Sequence, residues 1–229
     1  MNRALKVCLA TSVLIASLAL GQTAPFPLQK GIHVDMAVTH NAEMVPDADS
    51  PVAWIVTVTA DGRLFFGTDP VTPERLADDM KTHPRDRGAK LYVKADARAS
   101  FLDIEKVLST GRLVYFEEAV LLTSQPVAGH PAGVASPAGI PVNLAAAPKQ
   151  DPIVLQVAKA THQTLVLKIN NQPVKESALQ STLGPLLRDR TDKTVVLKIG
   201  GRLSFAQVAQ VLDACKSASA EIALQDSQP

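Results

Sequence analysis

Lys94-Ala95-Asp96-Ala97-Arg98 gathers two cations and a carboxylate within five residues, directly after the apolar run Leu91-Tyr92-Val93. A strand that ends in charged residues before a helix is a common place for binding groups. Lys94, Asp96 and Arg98 are therefore candidate binding residues. The competing role is structural, an Asp–Arg contact that shapes the turn. A second stretch, Thr194 to Phe205, repeats the pattern of residues 90–101 and keeps Lys198 and Arg202, but has Gly200 where Asp96 stands. That replacement weighs toward the structural role.

No other set of residues is spaced for catalysis. His33, His40, His83, His130 and His162 are scattered, with no pair at metal-ligand spacing, and read as solvated loop residues. The doublets Asp78-Asp79 and Glu117-Glu118 cannot form carboxylate dyads. Adjacent side chains diverge by about 100° on a helix and point to opposite faces on a strand. There is no nucleophile elbow, phosphate loop or dinucleotide fingerprint. Cys215 has no second thiol or imidazole at zinc spacing and falls on an apolar helical stripe, as a small core residue. A protein without catalytic activity, metal, cofactor or small-molecule substrate is expected.

The elements that would carry these residues occur twice. "GIHVDMA" at 31–37 returns as "GIPVNLA" at 139–145, and "DPVTPERLADDM" at 69–80 as "QPVKESALQSTL" at 172–183. The three blocks keep their order, which marks a duplicated unit. In the first copy Trp54, Val56 and Val58 alternate with Thr57 and Thr59, the pattern of a half-buried strand. Asp61-Gly62 is a hairpin turn, Leu64 to Phe66 a second strand, and Thr72-Pro73 a helix start. A third strand at 90–95, a helix from Ser100 and a fourth strand at 118–123 complete the copy. The second copy follows with strands at 153–159, 164–169, 194–199 and 221–225 and helices at 175–189 and 204–218. The helices opened by Ser100 and Ser204 carry matching stripes, Phe101, Ile104, Val107, Leu108 and Gly111 against Phe205, Val208, Val211, Leu212 and Cys215. Both serines read as N-caps, each with a polar partner three residues on, Asp103 or Gln207. The expected fold class is α+β: two tandem ββαβαβ domains, each a small sheet packed against two helices, at 31–126 and 139–229. The Pro-, Gly- and Ala-rich stretch 127–138 reads as their linker.

Charge is nearly balanced, 23 Lys and Arg against 22 Asp and Glu, and aromatic residues are 4% of the chain. Neither an electrostatic track nor a stacking platform for nucleic acid is present. Arg3 and Lys6 precede an apolar run from Val7 to Leu20, and Ala19-Leu20-Gly21 offers small residues for cleavage before Gln22. Residues 1–21 read as an export signal or a short uncleaved signal anchor, with the bulk of the chain outside the cytoplasm.

The ordered set of an N-terminal apolar segment, "GIHVDMA", "VTADGRLFFGTDPVTPERLADDM" and "KLYVKADARASFLDIEKVL" resembles the ExbD/TolR biopolymer-transport proteins. The likeness covers residues 31–125 well and 139–229 in more diverged form. It implies a periplasmic ββαβαβ domain behind one membrane helix. It also implies work with an ExbB/TolQ-type membrane protein that couples proton flow to a task at the outer membrane or in the periplasm. In the family that helix carries a proton-transferring Asp, whereas Val7 to Leu20 contains no ionisable residue. A buried acid is what proton transfer through lipid requires, so this chain is not expected to be the proton carrier. The expectation is a non-enzymatic accessory of such a system, in the inner membrane by an N-terminal anchor or soluble in the periplasm after cleavage. Its partners would be ExbB/TolQ-like or ExbD/TolR-like membrane proteins, and its two copies would form an internal pseudo-dimer or the chain a homodimer. The alternative is a soluble periplasmic module that binds protein or cell wall with the same fold. Ile32, Val34 and Met36 alternate ahead of the fold and are candidates for edge-strand pairing.

Overall fold

A computed structural model describes residues 30–83, 88–126, 135–144, 151–159 and 164–225. The N-terminal signal or anchor, His130, His162 and residues 127–134 of the expected linker lie outside the described residues. The architecture is mixed α/β. The first repeated unit opens with β1 (Glu43–Met44). The unit then runs β2 (Trp54–Val58), β3 (Leu64–Phe66), β4 (Asp69–Val71), α1 (Pro73–Thr82), β5 (Leu91–Ala95), α2 (Phe101–Leu113) and β6 (Glu118–Pro126). After β7 (Ala135–Asn143) come β8 (Ile153–Lys159), β9 (Leu165–Ile169), β10 (Gln172–Val174), α3 (Leu179–Arg188), β11 (Thr194–Gly200), α4 (Phe205–Ser217) and β12 (Glu221–Leu224).

The elements expected from the sequence are present, but they are assembled differently. Instead of two small sheets there is one, ordered β10-β9-β8-β11-β12-β7-β6-β5-β2-β3-β4, with β1 added against β7. The join is β7, which begins inside the stretch read as linker. It pairs antiparallel with β6 at nine positions, from Glu118↔Asn143 to Pro126↔Ala135, and meets β12 in parallel at Asn143↔Ala223. Loop-like composition was overridden because these residues satisfy their backbone groups on a long neighbouring strand. Among the described residues each half also has a short outer strand that ββαβαβ lacks. Asp69-Pro70-Val71 and Gln172-Pro173-Val174 are the outermost strands of the sheet. Proline suits an outer strand, where no further ladder bond is needed.

The helices cover one face of the sheet with the stripes read from the sequence. Phe101, Ile104, Val107, Leu108 and Gly111 are buried on α2, and Phe205, Val208, Val211, Leu212 and Cys215 on α4, where Ala209 joins them. A single apolar cluster runs through both halves, from Trp54 and Val56 to Leu197 and Ile222. The helix caps differ. Ser204 and Gln207 make both bonds of the capping box. The Ser100 side chain makes no capping bond, and the Asp103 carboxylate is engaged by Lys106 Nζ at 2.8 Å.

Strand β2 is not half-buried. All five of its residues are buried, because residues 30–53 fold back over the face of the sheet that the helices leave open. Ala48 there, with Met36, Val45 and Ala53, packs on Ile55, Tyr92, Val120 and Leu122. His83 is exposed at the end of α1, as expected, and also makes ring contacts. Its ring sits edge-on to Phe66 (4.8 Å between centroids) and Trp54 (6.0 Å), and its Nδ1 lies 2.7 Å from the Asp79 carbonyl.

Candidate functional site

The charged cluster at the end of β5 is held by the strap formed by residues 30–53. Lys94 is 3% exposed, and its Nζ donates to the Lys30 carbonyl at 2.9 Å. Burial pulls the Lys94 ammonium below the usual lysine range, a tendency that Asp49 on the strap partly offsets. Gly31, next in the chain, needs its left-handed backbone (φ 79°) and its lack of a side chain. A Cβ there would lie 2.8 Å from Thr57 Oγ1. Lys30 secures the start of the strap, its Nζ donating to the carbonyls of Ser50, Pro51 and Ala53 at 2.7–2.8 Å.

Asp96, 4% exposed, is the hub of the turn. Its carboxylate accepts from the Arg98 backbone N–H (3.0 Å), Arg98 Nε (2.9 Å), Arg98 Nη2 (3.0 Å) and the Asp35 N–H (3.3 Å). Hydrogen bonds from Arg98 hold the Asp96 carboxyl below the usual carboxylate range. The Arg98 side chain is 70% exposed and also reaches Asp35 Oδ2 at 3.3 Å. The three residues are thus adjacent, yet Lys94 and Asp96 turn inward onto the protein's own backbone. Their geometry is that of a turn-shaping contact, and Arg98 alone of the three presents its head to solvent.

Of the alternating residues, Val34 is buried, and Ile32 and Met36 are half-buried. Met36 bridges Asp96, Ala97 N–H donates to the Asp35 carbonyl at 2.7 Å, and Val38 bridges Ser124 in parallel. This lead-in follows the end of its own half's sheet, while its repeat, 139–143, lies within β7 at the centre. Both lead-ins therefore pair with strands, each by a different route.

The loops carrying the two repeated cores meet each other. Ser100 and Ser204 form an antiparallel bridge. Around it Phe101 N–H donates to the Leu203 carbonyl (2.9 Å) and Phe205 N–H to the Ala99 carbonyl (2.8 Å), a reciprocal pair with approximate twofold symmetry. The strap ties the halves a second time. Asp213 on α4 accepts from the backbone N–H groups of His40 and Asn41 and from Asn41 Nδ2, and Lys216 pairs with Glu43. Lys30 and Asp213 were not singled out in the sequence. Asp213 replaces Ser109 of the first copy, but only the path of the strap shows why. Cys215 is fully buried, and burial pushes its thiol up to about 12. Among the described residues no group of His, Cys, Asp and Glu is arranged to hold a metal, and no helix is long and apolar enough to cross a membrane.

A family model described as biopolymer transport protein ExbD/TolR matches the chain twice, over residues 11–126 and 126–227. No curated protein and no solved structure matches it.

Proposed function

The chain belongs to the ExbD/TolR family and carries the family's domain twice, and on that premise we propose that it is a non-enzymatic accessory of an ExbB–ExbD- or TolQ–TolR-like system. It acts outside the cytoplasm, through protein–protein contacts, in transport driven by the proton-motive force. The observation that carries this reading is the pairing of two family copies in one chain, through reciprocal Phe101 and Phe205 backbone bonds and the shared strand β7. The chain presents a pre-assembled pair of interaction domains, with 31–126 and 139–229 as its units. Val7 to Leu20 supplies no acid, so the proton-carrying carboxylate belongs to another subunit. The lead-in around Ile32, Val34 and Met36, chosen for its period-2 spacing, is the element we assign to partner capture or self-association; it pairs with the ends of β5 and β6 within the chain, so capture would require it to release those strands.

Affinity purification from membranes tests the reading. Recovery of an ExbB/TolQ-type protein is the expected result, weakened when residues 31–37 are deleted. Recovery without any such protein, wholly in the soluble periplasmic fraction and with a mature mass lacking residues 1–21, would replace this reading by the soluble binding module. In that case the fold serves without the motor.

A further inference from the structure

The two halves differ in length between the lead-in and the first strand. Sixteen residues, 38–53, separate Ala37 from Trp54, whereas seven, 146–152, separate Ala145 from Ile153. The longer connection is the part of the strap that seals the helix-free face of the first half. Among the described residues the second half has no counterpart to it.

The same face of the second half has its own chemistry. Register aligns Phe65, Thr57, Lys94 and Leu122 in one row across the first half. The matching row of the second half is Lys168, Gln156 and Lys198. Lys94 is buried beneath the strap, while Lys198 and Lys168 are both exposed. Gln156 stands between them and donates from Nε2 to Asn171 Oδ1 at 2.9 Å. Small apolar residues flank the row, half-buried Val154 and buried Val196 on one side and exposed Ala158 and Val166 on the other. Two strand spacings, roughly 10 Å, separate the two lysine positions. Glu221 bounds the face at one corner, so the positive row is short and suits a few carboxylates rather than a continuous polyanion.

We propose that this face of the second half receives an extended acidic peptide segment from a partner protein, laid over β9, β8 and β11 as residues 30–53 lie over the first half. The first half displays the mode of binding: a backbone carbonyl accepts from the row's lysine, a carboxylate stands nearby, and small apolar side chains pack on the strands. Carboxylates a few residues apart in an extended chain span the distance between Lys168 and Lys198. A second copy of this chain is a poor donor of such a segment. Its own strap is held by Lys30 on three carbonyls and by Asp213 on the opposite half. The proposal rests on this geometry and is independent of the transport role.

The test uses the full chain and a fluorescent synthetic peptide of residues 30–53, which carries Asp35, Glu43, Asp47 and Asp49, read by anisotropy. Saturable binding is expected, weakened at least tenfold by Lys168→Glu with Lys198→Glu and weakened by added salt. Both lysines are exposed, and thermal melts confirm that the variant folds; Lys168→Ala with Lys198→Ala serves if reversal perturbs folding. Binding unaffected by either pair would mean that the peptide exchanges with the strap of the first half, and would overturn the proposal. So would equal binding of a scrambled peptide, equal competition by a sulfated polysaccharide, or no binding up to millimolar peptide.

Discussion

Replacing Asp96 by Asn probes the turn that joins strand, strap and helix. The carboxylate is almost fully buried and accepts four hydrogen bonds, two from the backbone N–H groups of Arg98 and Asp35 and two from the Arg98 guanidinium. Hydrogen bonds to a charged group contribute ~1.5–3 kcal/mol each, and a buried donor left unpaired costs ~1–3 kcal/mol. An amide keeps one acceptor oxygen but turns its NH2 toward donors. The guanidinium is exposed and regains water, so its share is discounted. A loss of about 1–3 kcal/mol at pH 7 follows for Asp96→Asn. In a chain of this size that is a fall in Tm of roughly 2–12 °C. Acid provides the sharper readout. The folded carboxyl lies below its ordinary value, so its contribution is complete above the unfolded pKa of about 3.9. That contribution vanishes as pH falls through the lower folded value. Urea titrations of both proteins between pH 7 and pH 2.5 should show the gap closing at the acid end. Arg98→Ala, which leaves the backbone N–H bonds in place, should lose less than Asp96→Asn. A gap that stays constant into acid, or an Asp96→Asn variant within about 0.5 kcal/mol of the parent at pH 7, would refute the assignment of Asp96 as hub of the turn.

Three further outcomes are expected. Gly139→Ala places a Cβ 2.3 Å from Val120 Cγ1, and Val120 is stiff at χ1; denaturant melts should register a loss of about 1–3 kcal/mol, and an unchanged midpoint would mean that β7 does not pack this tightly on β6. Cys215, buried and with its thiol pushed up to about 12, should resist maleimide in the folded Cys8→Ser protein at pH 8 and react once it is unfolded; rapid labelling of the native state contradicts its core position. Pro70→Thr combined with Pro173→Thr restores a ladder donor to both outer strands, and light scattering should detect concentration-dependent association that the parent lacks; a variant no more self-associating than the parent would show that the prolines do not guard the edges.

The sequence by itself determined the elements and their duplication. Helical stripes, strand alternation, the Asp61-Gly62 turn and Pro73 are local signals, and local geometry follows from them wherever the chain goes next. Burial of Cys215 was legible for the same reason, since it occupies the place of Gly111 on a repeated stripe. The charged triplet was legible only as a choice between binding and turn-shaping; the Asp96–Arg98 contacts that shape the turn appear only in the folded chain. What the elements do to one another depended on contacts between distant residues. The strand character of 135–138 comes from pairing with β6, against the drift of its own composition. Burial of Thr57 comes from a strap that begins some 27 residues before it, and the importance of Lys30 and Asp213 from where that strap is fastened. The repeated glycines make the point most directly. Gly31 and Gly139 hold the same place in "GIHVDMA" and "GIPVNLA", yet one is required by a left-handed turn against Thr57 and the other by close packing on Val120. A residue type can be inherited through duplication, while the reason it is needed is set by the neighbours that the tertiary structure brings to it.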